Sequence, residues 1–189
     1  MTIKLLEPVS TIDDLLALPD DGKRYELHNG EIIEVGTSAS KHTVLGAWVI
    51  FMLMTFVKGH KLGGYVTSAD GTYKLNDLNT RVPDAAYISK AKADTLPRGT
   101  AFFPFAPDLA VEIKSPSNTK NDMRDLALLY ISTGSRLVWT IDPDEKKVQV
   151  YRAGAQPFEI SGDGELEGYD ILPDLKLRLV EMFAEIEGL

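Results

Sequence analysis

The sequence predicts a mixed α/β protein built around a central sheet. Segments of strand-like alternation and segments of helical spacing follow one another along the chain. Their order is helix, hairpin, long helix, three strands, helix, two strands, tail. The most apolar segment, Val44 to Val57 ("VLGAWVIFMLMTFV"), runs for 14 residues. That is short of the roughly 20 needed to cross a bilayer, so it reads as a core helix covered on most sides, with no membrane contact. No internal repeat, low-complexity run or linker interrupts the pattern, so residues 1–189 read as one domain.

Each element has its own signal. Ser10 or Thr11 can cap a short helix, "TIDDLLALP", that Pro19 closes. In "KRYELHNGEIIEV", Asn29-Gly30 stands between two alternating runs and predicts an N-terminal hairpin, because a type I′ turn needs positive φ at both central residues. A polar loop, 36–41, leads into the long helix, from about Lys41 to about Lys58. "GGYVTSADGTYKLN" reads as one strand or a pair, and "TRVPDAAYIS" as a further strand. Residues 90–106 read as a loop with a short helix. "PDLAVEIK" is a strand that Pro116 ends. Met123, Leu126, Ala127 and Tyr130 share a helical face in "KNDMRDLALLYIST". "RLVWTID" and "KVQVYR" are two more strands joined by "PDEK". "GDGELEG" reads as a solvent loop before a short last segment, "LRLVEMFAEI".

Composition narrows the chemistry. The chain has no cysteine, which excludes disulfides and thiolate metal sites and suits a reducing cytoplasm. The N-terminus lacks the apolar core of a signal peptide. Three histidines, His28, His42 and His60, are too scattered for a convincing zinc site. Twenty basic against 28 acidic residues give a net charge of −8. That counts against non-specific coating of nucleic acid and leaves room for a local basic groove.

The strand "PDLAVEIK" poses the functional question. Leu109, Val111 and Ile113 share one face, and Asp108, Ala110, Glu112 and Lys114 the other. Inside a covered sheet, Glu112 and Lys114 would need partners or a metal; at an edge they would simply face water. "RVPDAAYIS" tips the balance, because a neighbouring strand can bring Asp84 beside Glu112. Two carboxylates and a lysine then converge, and Mg²⁺ prefers oxygen ligands of this kind.

Pro83-Asp84 followed by Glu112-Ile113-Lys114 matches the PD-(D/E)xK nuclease motif. Together with "YELHNGE", "RVPDAAYI", "PDLAVEIKSPSN", Tyr130, "GSRLVWTIDPDEKKVQVYR" and "LPDLKLRL", the chain resembles the Uma family, described as putative restriction endonucleases, from about Arg24 to about Leu179. The resemblance implies a restriction-endonuclease-like core, a central mixed sheet flanked by helices. It implies an endonuclease acting on DNA, with Asp84 and Glu112 as ligands to Mg²⁺ (or Mn²⁺), the Ile113 carbonyl as a further ligand and Lys114 as a catalytic residue. A fourth acid from the N-terminal region often completes such sites. The long helix offers none, so Glu26 is the candidate, with Glu31 behind it. By analogy a homodimer is expected, since cutting both strands takes two sites.

Other residues have plainer readings. Asp108 also follows a proline but suits a cap or turn, and Asp84 is preferred over it. Asp142 reads as a turn residue, His42 as a polar residue of the helix start, and Tyr130 and Trp139 as core. Ser115 and Ser117 satisfy local backbone, and Lys120 and Arg124 form a solvated face or a basic lip. Two rival functions stand beside this one: a nuclease-fold module that binds nucleic acid or a protein partner without cutting, which the acidic balance suggests and the intact Asp84, Glu112 and Lys114 argue against, and a phosphoesterase of small nucleotides that uses the same residues in a closed pocket.

Overall fold

The computed structural model describes residues 9–36 and 39–189. The N-terminal stretch 1–8 and residues 37–38 of the polar loop lie outside the described residues. Helix α1 (Ile12–Leu16) starts at Thr11, where a capping box pairs the Thr11 and Asp14 side chains with each other's backbone N–H. Strands β1 (Arg24–His28) and β2 (Glu31–Val35) form the expected hairpin. Asn29 and Gly30 turn it with φ of 51° and 81°. Helix α2 (Ser40–Gly59) follows. Then come β3 (Tyr65–Ser68), β4 (Tyr73–Asn76), β5 (Asn79–Arg81), β6 (Ala85–Ile88) and α3 (Lys90–Ala93). The second half holds β7 (Leu109–Ile113), α4 (Lys120–Ser132), β8 (Leu137–Asp142), β9 (Lys147–Arg152), β10 (Phe158–Ser161), β11 (Glu165–Glu167), β12 (Lys176–Arg178) and α5 (Leu179–Ala184).

The central sheet has six strands in the order β10-β9-β8-β7-β6-β3. Only β7 and β8 are parallel, and α4 makes the crossover that such a pair requires. The apolar alternation of the strands divides the core in two. Val111, Ile113, Trp139 and Ile141 face α2 and α5, joined by Leu45, Val49, Leu53, Met182 and Phe183. Ala86, Ala110 and Val138 face the other way, toward α4, joined by Ala127 and Tyr130. β7 therefore lies inside the sheet and is covered on both sides, which removes the edge-strand explanation for its charges.

Side chains dock the hairpin onto β5. Leu27 N donates to Thr80 Oγ1 at 2.9 Å, Asn29 N to Asn79 Oδ1 at 3.1 Å, and Arg81 Nη1 to the Leu27 carbonyl at 2.8 Å. This clasp holds β1 next to the segment that leads into β6.

Three expectations change. α2 is less covered than its apolar composition predicts. Leu45, Gly46, Val49, Leu53 and Val57 are buried, but Phe51 is 64% exposed, because a helix packed on one sheet buries one stripe. At 20 residues it also has the length and composition of a membrane span, which a count over Val44–Val57 misses. "TRVPDAAYIS" is two strands, β5 and β6, because Pro83 has no N–H to give a ladder. "GDGELEG" is no free loop. Its Glu165–Glu167 pairs with β12, and Leu166, opposite Leu177, is fully buried.

Candidate active site

The site forms where β6 begins and β7 ends. Ala85 pairs with Val111 in an antiparallel register, and one step further sets Asp84 opposite Glu112. Asp84 sits in the bend just before β6, held by the chain around it. Its Oδ2 accepts the Ile113 N–H at 2.7 Å, and His42 Nε2, from the first turn of α2, lies 3.1 Å from the same oxygen. Both side chains are largely enclosed, at 13% and 12% exposure. Among the described residues no hydrogen bond reaches Asp84 Oδ1. In an extended strand the N–H and C=O of one residue point to the same side, so the Ile113 carbonyl also faces Asp84.

Glu112 has a similar arrangement. Tyr130, fully buried on α4, donates its hydroxyl to Glu112 Oε1 at 2.6 Å. The other carboxylate oxygen receives no hydrogen bond among the described residues. Burial, and then the Asp84 and Glu26 charges, push the Glu112 carboxyl well above the usual carboxylate range, against the pull of Tyr130 and Arg81. Burial and then the Glu112 charge raise the Tyr130 phenol in turn.

Glu26 on β1 is buried, 8% exposed, and it closes this cluster from the hairpin side. Its Oε1 accepts from Val82 N at 2.8 Å, and its Oε2 from His28 Nε2 at 2.7 Å. Both oxygens are therefore engaged. Arg81, also buried, supplies the nearby positive charge that both Glu112 and Tyr130 feel. Glu31 lies on the exposed side of the hairpin.

Lys114 continues the face of Glu112 past the end of β7, where its N–H bonds to the Ile141 carbonyl at 2.8 Å. Its Nζ lies 3.5 Å from Asp142 Oδ2. Asp142 Oδ1 meanwhile accepts the Asp144 and Glu145 N–H groups at 3.1 and 3.0 Å, the turn role that the sequence predicts. The contact to Lys114 is an addition that no local signal announces, since the two residues meet only through the β7–β8 pairing.

The donor set suits a hard divalent cation in part. Asp84 and Glu112 each have one oxygen fixed by the protein and one free, the usual division between supporting partners and a metal. Two facing carboxylates repel unless a proton or cation lies between them. Among the described residues no group of three or more His, Asp or Glu gathers as a ready metal cage. A cation here would rest on two carboxylates and a carbonyl and keep several waters, as Mg²⁺ commonly does.

The structure thus brings together Asp84, Glu112, Ile113 and Glu26, with Lys114 adjoining. It adds His42, His28, Tyr130 and Arg81, which the sequence reading passes over or assigns elsewhere. His42 does more than start a helix, and Tyr130 is a core residue whose hydroxyl serves the site. Asp108 stays apart, accepting the Ser89 N–H at 2.8 Å. Ser115 departs from the expected role of satisfying backbone groups: its Oγ meets the side chains of Asn118 and Ser117, and its own N–H donates to Asn118 Oδ1 at 3.1 Å.

The six-stranded mixed sheet flanked by helices is a restriction-endonuclease-like core. The sequence matches the family described as "Uma2: Putative restriction endonuclease" over residues 12–180, and the chain belongs to that family. The structure is similar to the crystal structure of a putative nuclease belonging to DUF820 from Anabaena variabilis ATCC 29413. The TM-score is 0.80 at 23% identity, covering 93% of this chain and 98% of that one. No curated protein matches the sequence. The family's description supports a nuclease, a hydrolase of phosphodiester bonds.

Proposed function

We propose that the protein is a Mg²⁺- or Mn²⁺-dependent endonuclease that hydrolyses DNA phosphodiester bonds at this site. The observation that carries the reading is the pairing of Asp84 with Glu112 across β6 and β7, each with one unengaged oxygen, beside Lys114. Those oxygens and the Ile113 carbonyl would hold the cation. Bound there, it would lower the pKa of a water and polarise the phosphate. Ile113 N–H and Tyr130 hold the two carboxylates in their orientations. Lys114 donates to the attacking water and to the oxygens on which charge develops. Glu26 keeps the hairpin against Val82 and adds negative charge behind Glu112, favouring a bound cation. Two copies acting together would cut both strands.

A cleavage assay on plasmid and oligonucleotide DNA with Mg²⁺ or Mn²⁺ tests this. The wild type should cut, and Glu112→Ala and Lys114→Ala should not. Equal activity in all three would overturn the assignment. The incomplete cage favours a second reading, a module that binds DNA without cutting it, and a wild type that binds but never cuts would select it.

A further inference from the structure

A groove of about 330 Å³ opens beside the site, between the first turns of α4, the face of β8 and β9, and Pro157. Lys114 belongs to both the groove and the catalytic cluster, so whatever lies in the groove is contiguous with the scissile position. Its apolar surface comes from Met123, Leu128, Tyr151 and Pro157. Asn121 and Gln149 bring amides to it. Gln149 gives its Nε2 to Glu159 at 2.9 Å, which leaves its carbonyl oxygen to accept.

The charge of the groove departs from that of the chain. Lys114, Lys120, Arg124 and Lys147 face Asp142, Glu145 and Glu159, a basic excess in a protein with 28 acidic and 20 basic residues. Lys120 pairs with Glu145 at 2.6 Å and Lys147 with Glu159 at 3.0 Å. These pairs are solvent-exposed, and exposed pairs hold weakly enough for a phosphate to displace them. Arg124 has no carboxylate within ion-pairing distance among the described residues. Its charge is felt by Tyr151, within the groove.

We propose that this groove seats one unpaired nucleotide next to the scissile phosphate, so that the strand entering the site is single-stranded or locally opened DNA. The inference rests on the nuclease reading above. A space of this size suits a nucleotide-sized ligand and is too small for a duplex. The apolar surface takes the face of a base, the amides meet its edge, and Arg124 takes the flanking phosphate.

Fluorescence anisotropy with a labelled DNA oligonucleotide, single-stranded or annealed, in Ca²⁺ to slow cleavage, tests the proposal. The single strand should bind at least about tenfold more tightly than the duplex. Arg124→Ala should weaken single-strand binding and reduce the salt slope by about one. Gln149→Ala, which alters no charge, should weaken binding and leave that slope unchanged. If the wild type cuts DNA but binds both forms equally, or if both variants bind like wild type, the groove assignment falls and the nuclease reading stands. If the wild type neither binds nor cuts DNA, both fall.

Discussion

Two Pro-Asp pairs lie at opposite ends of the β6–β7 pairing, and their carboxylates meet opposite conditions. Asp108 is 2% exposed, yet its charge is met: Ser89 N–H reaches Oδ2, and Lys92 Nζ lies 3.5 Å from Oδ1. Asp84 is nearly as enclosed, with Ile113 N–H and His42 both on one oxygen, the other unengaged among the described residues, and another carboxylate opposite. Burial therefore does not separate a structural aspartate from the one we propose as a metal ligand. The balance of partners does, because a buried charge without its full set marks a place for something absent from the chain.

The largest effect expected is on catalysis. Asp84→Asn, Glu112→Gln or Lys114→Ala should lower cleavage by about 10²–10⁴-fold with the fold intact by circular dichroism. Asp108→Asn should do the reverse, holding activity within a few-fold and lowering stability by about 3 kcal/mol in urea unfolding, since Lys92 loses its charged partner. Loss of cleavage in a folded Asp108→Asn protein would break the contrast.

Next in size, Tyr130→Phe removes the hydroxyl from Glu112 Oε1. Mn²⁺ affinity, measured by calorimetry, should fall about 10–100-fold, as for other supporting partners of metal ligands. The Glu112 carboxyl also predicts a pH dependence. Its value is raised in the folded state, so the metal-free fold binds that proton more tightly than the unfolded chain does. The contribution of Glu112 to stability is then fully present below the ordinary carboxylate pKa of about 4.3 and is lost as pH rises through the raised value. Glu112→Gln should flatten this slope in urea melts across pH, and an unchanged slope would assign it to other groups.

The smallest contrast is within the hairpin. Glu26→Ala should reduce activity about tenfold through the displaced Glu112 environment. Glu31→Ala, on the exposed side, should leave activity within about twofold, as surface substitutions usually do.

Much of this was legible in the chain. Alternation placed Leu109, Val111 and Ile113 on one face and Glu112 and Lys114 on the other, and the structure keeps that division. Asn29-Gly30 announced the hairpin. What the sequence leaves open is long-range pairing. His42 meets Asp84 because α2 packs against β6, and the Arg81 charge acts on Glu112 from β5, where its guanidinium holds the hairpin's Leu27 carbonyl; neither has a local pattern. β11 is only three residues long, too short for its alternation to rise above the glycines around it.

The claim that Asp84 and Glu112 together hold a divalent cation is tested most directly by anomalous diffraction from crystals soaked in Mn²⁺. One peak should join the unengaged oxygens of Asp84 and Glu112 and be lost in Asp84→Ala. A peak elsewhere in the molecule, or none at this pair while the protein cleaves DNA in Mn²⁺, would contradict it.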